Sequence, residues 1–426
     1  MTRQNIVVGL DVGTTKVCAV VADLRDSGPD MLGLGISPST GLRKGIVINI
    51  DETVDSIKKT VREAESSAGV RIKSVSVGIS GGHIRGFDSS GAVGIRGDEV
   101  SPSDVRRAID SAKTVYIPLD RELLHAVPSE FTLDGQDGIT DPVGMSGVRL
   151  EAGVHIVTAA VSPMHNLLKC CGKAGLEVAE VVFSPLASAH AVLTKEEKSA
   201  GTILIDLGGG TTDIALFQNG CLRYASVIGV GGNHFTNDLA VGLHVTMNEA
   251  EKLKREAGAA YEGIVPSSEE IQITQTGGQR RTLPRKYLAE ILQPRCEETL
   301  DLLKGEIKKC GGYGNAICGV VLTGGASLLN GFGEMAEAML GLPVRTGAPG
   351  KIKGRSVVSE GPAYAAGVGL ATCGQEPEAG KAAQTDAMRS VFSRVTDLVR
   401  DIFRHADHFH LNNRKEGGVL CLKSRK

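Results

Sequence analysis

Short apolar runs broken by glycine set the rhythm of this chain. "IVVGL" (6–10) and "TILI" (202–205) are uninterrupted, rich in β-branched residues and too short for helices, so they predict buried strands. Each run reaches an Asp, passes a Gly/Thr cluster and returns as a second apolar run, "VCAVV" (17–21) or "IALF" (214–217). That order predicts a β-hairpin with a polar tip, written twice with Asp11 and Asp206 195 positions apart.

Between the two copies the spacing predicts a helix near Val54–Ser67 ending at Gly69, then "SVSVGISGGHI" as a strand and turn. "SPSDVRRAIDSAKTV" opens with Ser/Pro/Asp caps and predicts a helix. Short strands separated by Asp-Gly and Asp-Pro turns follow it, so residues 84–160 stand apart as an inserted α/β subdomain. It splits a first core domain, 1–83 plus 161–200, whose second piece, "SPMHNLLKCCGKAGLEVAEVVFSPLASAHAVL", predicts helix, strand, helix. A second core, 201–233 plus 307–373, is split by a smaller subdomain, 234–306, with a polar stretch at about 258–286 and a long helix in "YLAEILQPRCEETLDLLKGEIKKCG". "AICGVVLTGGASLLNGFGEMAEAML" predicts a strand, a glycine turn and a helix, whose N-terminus behind Gly324-Gly325 is a second approach point for an anion or ribose. "SEGPAYAAGVGLA" predicts a small-residue helix suited to close packing at a hinge or in a core.

Residues 374–386, "GQEPEAGKAAQTD", have no apolar period and predict a flexible linker with a reach of about 20 Å. Over 387–406, Met388, Val391, Phe392, Val395, Leu398, Val399, Ile402 and Phe403 form one helical stripe. Arg389, Arg394, Arg400 and Arg404 lie opposite, which predicts a membrane-binding amphipathic helix facing anionic lipid, although Asp397 and Asp401 temper the attraction. A tail, 407–426, follows.

The chemistry of the repeated tips comes from what they lack. With glycine in place of bulky side chains, backbone N–H and Thr hydroxyl groups are free to meet phosphate oxygens. An Asp at the strand end is a hard oxygen ligand for Mg²⁺, directly or through water. One copy is equally consistent with a plain glycine-rich hairpin; two copies that both keep the Asp favour a ligand.

Composition narrows the rest. A length of 426 residues implies two to four domains with cores of their own. Glycine, 55 residues, is nearly twice its usual share and fits many tight turns. Absent Trp and 4% aromatics argue against base-stacking platforms, and a net charge of −2 gives no pull toward nucleic acid. Nine scattered cysteines without a CxxC pair read as reduced thiols. The opening "MTRQNIVV" leaves no room for a signal peptide and no apolar run is long enough to span a bilayer, so a soluble, intracellular body is expected.

Two Asp-Gly-Thr hairpins, a Gly-Gly turn and a late small-residue helix together resemble the actin, Hsp70 and sugar-kinase superfamily. The block "VPSEFTLDGQDGITDPVGMSGVRLE" followed by "HIVTA" is similar to the insertion of the FtsA family, actin-like bacterial cell-division proteins. The resemblance covers about residues 4–373. It implies an α/β, actin-like two-domain ATPase fold with a duplicated core. It places ATP and Mg²⁺ at Asp11, Gly13, Thr14, Thr15 and Lys16 and at Asp206, Gly208, Gly209, Gly210, Thr211, Thr212 and Asp213, with the metal at Asp11 and Asp206. It adds Gly231 and Gly232 near the sugar, and Glu251, Lys254, Gly324, Gly325 and Ala326 near the adenosine; Glu251 and Lys254 are equally readable as solvated charges.

The same resemblance implies self-association, other division proteins as partners, and a place at the septum on the cytoplasmic side of the inner membrane. It also implies binding of the C-terminal tail of the tubulin-like protein FtsZ by the smaller subdomain, where Arg280, Arg281, Arg285, Lys286 and Arg295 form a basic cluster. No general-base motif for a kinase stands out, and the residues after Ala371 are too few for an Hsp70 peptide-binding domain. ATP is therefore expected to be a switch ligand with at most slow hydrolysis. The alternatives are an actin-like scaffold of pilus assembly and a small-molecule kinase.

Overall fold

Both repeated segments fold as antiparallel hairpins. Ile6–Val12 pairs with Lys16–Arg25, placing Asp11 opposite Cys18, and Thr202–Leu207 pairs with Thr212–Gln218, placing Asp206 opposite Asp213. In the computed structural model, which describes residues 5–25, 28–350, 353–354 and 361–373, each hairpin forms the centre of a mixed sheet. The first sheet runs Glu177–Phe183, Ser74–Ile79, Ile6–Val12, Lys16–Arg25, Gly28–Pro38, with Lys353–Gly354 at its edge. The second runs Val344–Thr346, Val320–Thr323, Thr202–Leu207, Thr212–Gln218, Cys221–Ile228. In both, the Asp-bearing strand is antiparallel to its hairpin partner and parallel to a strand from much later in the chain. Parallel pairing needs a long crossover, and in the first half that crossover carries the helix Ile50–Ala68. This helix begins earlier than its apolar period because Asn49 caps the backbone N–H groups of Asp51 and Glu52, and it stops where Gly69 turns left-handed.

Residues 85–160 build a third sheet, Arg85–Gly94, Arg149–Ala160, Arg121–Leu133, Gln136–Ile139, backed by the helix Pro102–Ala112. Three of its four strands are long, not short as the turn signals suggested, because Asp134-Gly135 is the one tight turn between paired strands there and Asp141-Pro142 lies in a connecting loop. The sheet has its own core around Ile109, Phe131, Leu150 and Ile156. It also touches the second half, where strand Arg85–Gly94 packs on Cys221–Ile228 and Arg223 Nη2 donates to Glu130 Oε2 at 2.8 Å.

One stretch gains an element that its sequence left unassigned, and one helix start is revised. The polar stretch at 258–286 contains a hairpin, Glu270–Thr274 with Arg280–Pro284, whose alternate residues Ile273 and Leu283 are buried beneath an otherwise polar surface. Behind Gly324-Gly325 comes only a 3₁₀ turn, Gly325–Leu328; the α-helix starts at Phe332, after Gly331 resets the backbone at positive φ. The small-residue helix, Ala365–Thr372, lies against strand Ile6–Val12 and the helix Ser184–Val192. A Cβ at Gly9 would collide with the Gly367 carbonyl and Ala371 nitrogen, so backbone meets backbone where this helix crosses the strand. Among the described residues no helix is long and apolar enough to cross a membrane. Four of the described cysteines, Cys18, Cys170, Cys171 and Cys296, are buried thiols.

Candidate functional site

The two hairpin tips face each other across a cleft of about 260 Å³. They interlock: a Cβ on Gly209 would strike the Thr15 side chain, and one on Gly210 would strike Thr14. Asp11, Gly13, Thr14, Thr15 and Lys16 line the cleft from the first half, and Asp206, Gly208, Gly209, Gly210, Thr211 and Asp213 from the second. Thr212 and Gly231 stand behind the wall. Thr212 Oγ1 donates to the Val230 carbonyl at 2.7 Å, and Gly231 packs on the backbone of Gly208 and Gly209. Gly232, Glu251, Lys254, Gly324, Gly325 and Ala326 line the other end. Gly324 turns at φ 86°, and a side chain there would overlap Asp206 Oδ1.

Three acidic side chains share this buried space. Burial, opposed by Lys16 and helped by Asp206, lifts Asp11 to a pKa of about 6. Burial raises Asp206 as well, against the hydrogen bond it accepts from Ser188 Oγ at 2.7 Å. Asp213 is raised well above the carboxylate range by burial and then by Asp206, while Ser80 Oγ donates to it. Carboxylates crowded in a desolvated cleft hold protons unless a cation compensates them. Among the described residues no three acidic, histidine or cysteine side chains converge within reach of one ion.

Lys254 is not a solvated charge. Its Nζ donates to the Gly232 carbonyl (3.1 Å), Thr236 Oγ1 (2.8 Å) and Glu251 Oε2 (2.6 Å), and burial lowers its pKa. Lys16 reaches across the cleft: its Nζ bonds the Ala363 carbonyl and lies 4.2 Å from the Tyr364 ring centroid. The cleft also takes in residues the sequence did not single out, among them Ser80, His83, Arg255 and Leu328. Ser80 and His83 sit in the turn "SGGH", and Arg255 follows Lys254 on one helix; no local pattern separates them from ordinary turn and surface residues.

These features coincide with recorded relationships. A family model described as "Cell division protein FtsA" matches residues 203–369, and one described as "SHS2 domain inserted in FTSA" matches 81–158. The FtsA of Pseudomonas aeruginosa is 43% identical over 375 residues, 88% of this chain and 90% of that protein.

The chain belongs to the FtsA family.

The FtsA of Neisseria meningitidis is 39% identical, covering 94% of this chain and 99% of its own length, and that of Escherichia coli K12 is 36% identical over 88% and 91%. Among solved structures, the PilM-PilN type IV pilus biogenesis complex aligns with a TM-score of 0.64 at 18% identity, covering 87% of this chain and 99% of that one. MreB5 of Spiroplasma citri bound to ADP aligns at 0.52 and 15%, covering 86% and 95%. These likenesses show the fold, an actin-like ATPase fold with the FtsA-type insertion in its first half.

In this FtsA-family chain the basic cluster is largely engaged at home. Arg285 pairs with Glu269 (2.6 Å), Lys286 with Glu262 (3.1 Å), and Arg295 with Asp238 (2.7 Å) and Glu298. Arg280 and Arg281 are exposed on the hairpin. The apolar stripe from Met388 to Phe403, with Arg394, Arg400 and Arg404, lies outside the described residues.

Proposed function

We propose that this FtsA-family protein binds Mg²⁺-ATP between its two hairpins, self-associates, and tethers the FtsZ polymer to the cytoplasmic face of the inner membrane at the division site, where other division proteins join it. The observation that carries the nucleotide reading is the pair of facing glycine tips with Asp11 and Asp206 half-buried beside them. The tips offer N–H and hydroxyl groups to the phosphates, and the carboxylates would hold the hydrated metal. Glu251 and Lys254 would border the ribose and base beside Gly324–Ala326. A bound Mg²⁺ would supply positive charge beside Asp11 and Asp206, which would favour their ionised forms. Lys16 adds a cation at the same tip, and Ser188 orients the Asp206 carboxylate. The ligand acts as a conformational switch with at most slow hydrolysis.

The FtsZ tail, a short acidic and partly apolar peptide, would dock on the smaller subdomain around the hairpin that exposes Arg280 and Arg281. Arg285, Lys286 and Arg295 can contribute only by exchanging their internal partners for it. The membrane contact would come from residues 387–406.

Calorimetry tests the nucleotide reading. Asp206→Asn should weaken Mg²⁺-ATP about tenfold or more while leaving metal-free ATP nearly unchanged, because the lost charge acts on the metal. Equal losses with and without Mg²⁺ would show that Asp206 does not serve the metal.

A further inference from the structure

His83 has no role in the reading above, yet it lines the same cleft. Both its ring nitrogens are buried and neither has a hydrogen-bond partner. Buried polar groups are satisfied in folded proteins with few exceptions, and an imidazole with two open positions is among the costlier ones.

One contact bears on the ring itself, and two hold the turn that carries it against the hairpin tips. Gly81 passes so close that a Cβ there would lie 2.8 Å from His83 Nδ1. On one side of this turn Ser80 donates to Asp213. On the other, Gly45 presses on the Ser80 carbonyl while its N–H donates to Thr14 Oγ1 at 3.0 Å, at the tip of the first hairpin. The backbone is held as well, since Arg121 Nη2 donates to the His83 carbonyl at 3.0 Å. Gly324 and Arg255 line the same cleft from the second half. Burial, then Arg121 and Arg85, pushes His83 down to a pKa of about 4, so the ring is neutral and offers one N–H donor and one acceptor.

We propose that His83 is a positioning residue for the terminal phosphate: its ring N–H binds a γ-phosphate oxygen, directly or through one water, so that the cleft distinguishes a nucleoside triphosphate from a diphosphate. The inference rests on the nucleotide reading of the cleft and adds to it the residue that senses the third phosphate. A hydrogen bond to a charged oxygen at a desolvated site corresponds to roughly tenfold or more in affinity.

The test compares affinities of the full chain for ADP and for the β,γ-imido analogue of ATP, each with Mg²⁺, by calorimetry. His83→Ala should weaken the triphosphate analogue roughly tenfold and leave ADP within about twofold, and His83→Gln, which keeps a donor, should recover part of the loss. In the unsubstituted protein, selectively labelled His83 ring resonances should move on adding the analogue and stay in place with ADP. That measurement does not depend on either variant folding. Equal effects on both nucleotides, or an unmoved ring, overturn the proposal and leave a ring satisfied by structural water. If the unsubstituted protein binds neither nucleotide, the cleft reading itself falls and takes this inference with it.

Discussion

Gly209 shows how one residue joins sequence pattern to site. It sits where the two tips touch, and a side chain there must displace Thr15 of the opposite hairpin. Gly209→Val should therefore abolish nucleotide binding, with calorimetry showing no heat of binding at ligand concentrations that saturate the parent chain. Asp11, Asp206 and the tip glycines were legible because their order of residue types occurs twice. Lys254 was ambiguous: charge on a helix surface is ordinary, and only the approach of Gly232 and Thr236 reveals that its ammonium is drawn inward.

At the scale of elements, caps fix the boundaries. The inserted helix Pro102–Ala112 starts at Ser101, where Asp104 accepts from the Ser101 backbone at 3.0 Å and hydroxyl at 2.5 Å and pairs with Arg107. The Ser101 hydroxyl, followed by Arg107, holds the Asp104 carboxyl down at a pKa of about 2. A folded-state pKa below the unfolded value means the ionised form stabilises the fold. That stability is present above about pH 4 and is lost as pH falls toward 2. Asp104→Asn should cost about 1 kcal/mol at neutral pH by thermal denaturation, and the difference should shrink through that acid window. A constant difference across pH would assign the effect to packing. The hairpin at 270–284 was harder to read, because two short strands with one buried face give a weak alternation.

At the scale of the molecule, the proposed tether makes filament and membrane one system. One amphipathic helix binds a bilayer marginally, and self-association would present many at once. Phe392→Asp with Phe403→Asp should move the protein from anionic liposomes to the supernatant in sedimentation, while ATP affinity stays within about twofold. Continued pelleting of the double variant would place membrane contact elsewhere. The inserted sheet enters at this scale too, since Arg223 and Glu130 tie it to the second half and not only to the half that carries it in sequence.

The sequence by itself determined what local chemistry can encode: two Asp-Gly-Thr hairpins, capped helices, and a distinct block between residues 84 and 160. These depend on side-chain period, turn residues and caps, which act within a few positions. Tertiary structure alone decided that Ser188 reaches Asp206, that Lys16 bridges to Ala363, that Arg285, Lys286 and Arg295 spend their charge on internal partners, and that His83, at the wall of the cleft, keeps a ring with both nitrogens unpartnered. Each of these arises where segments far apart in sequence meet in a buried space, and there desolvation and proximity, not local pattern, set what a side chain does.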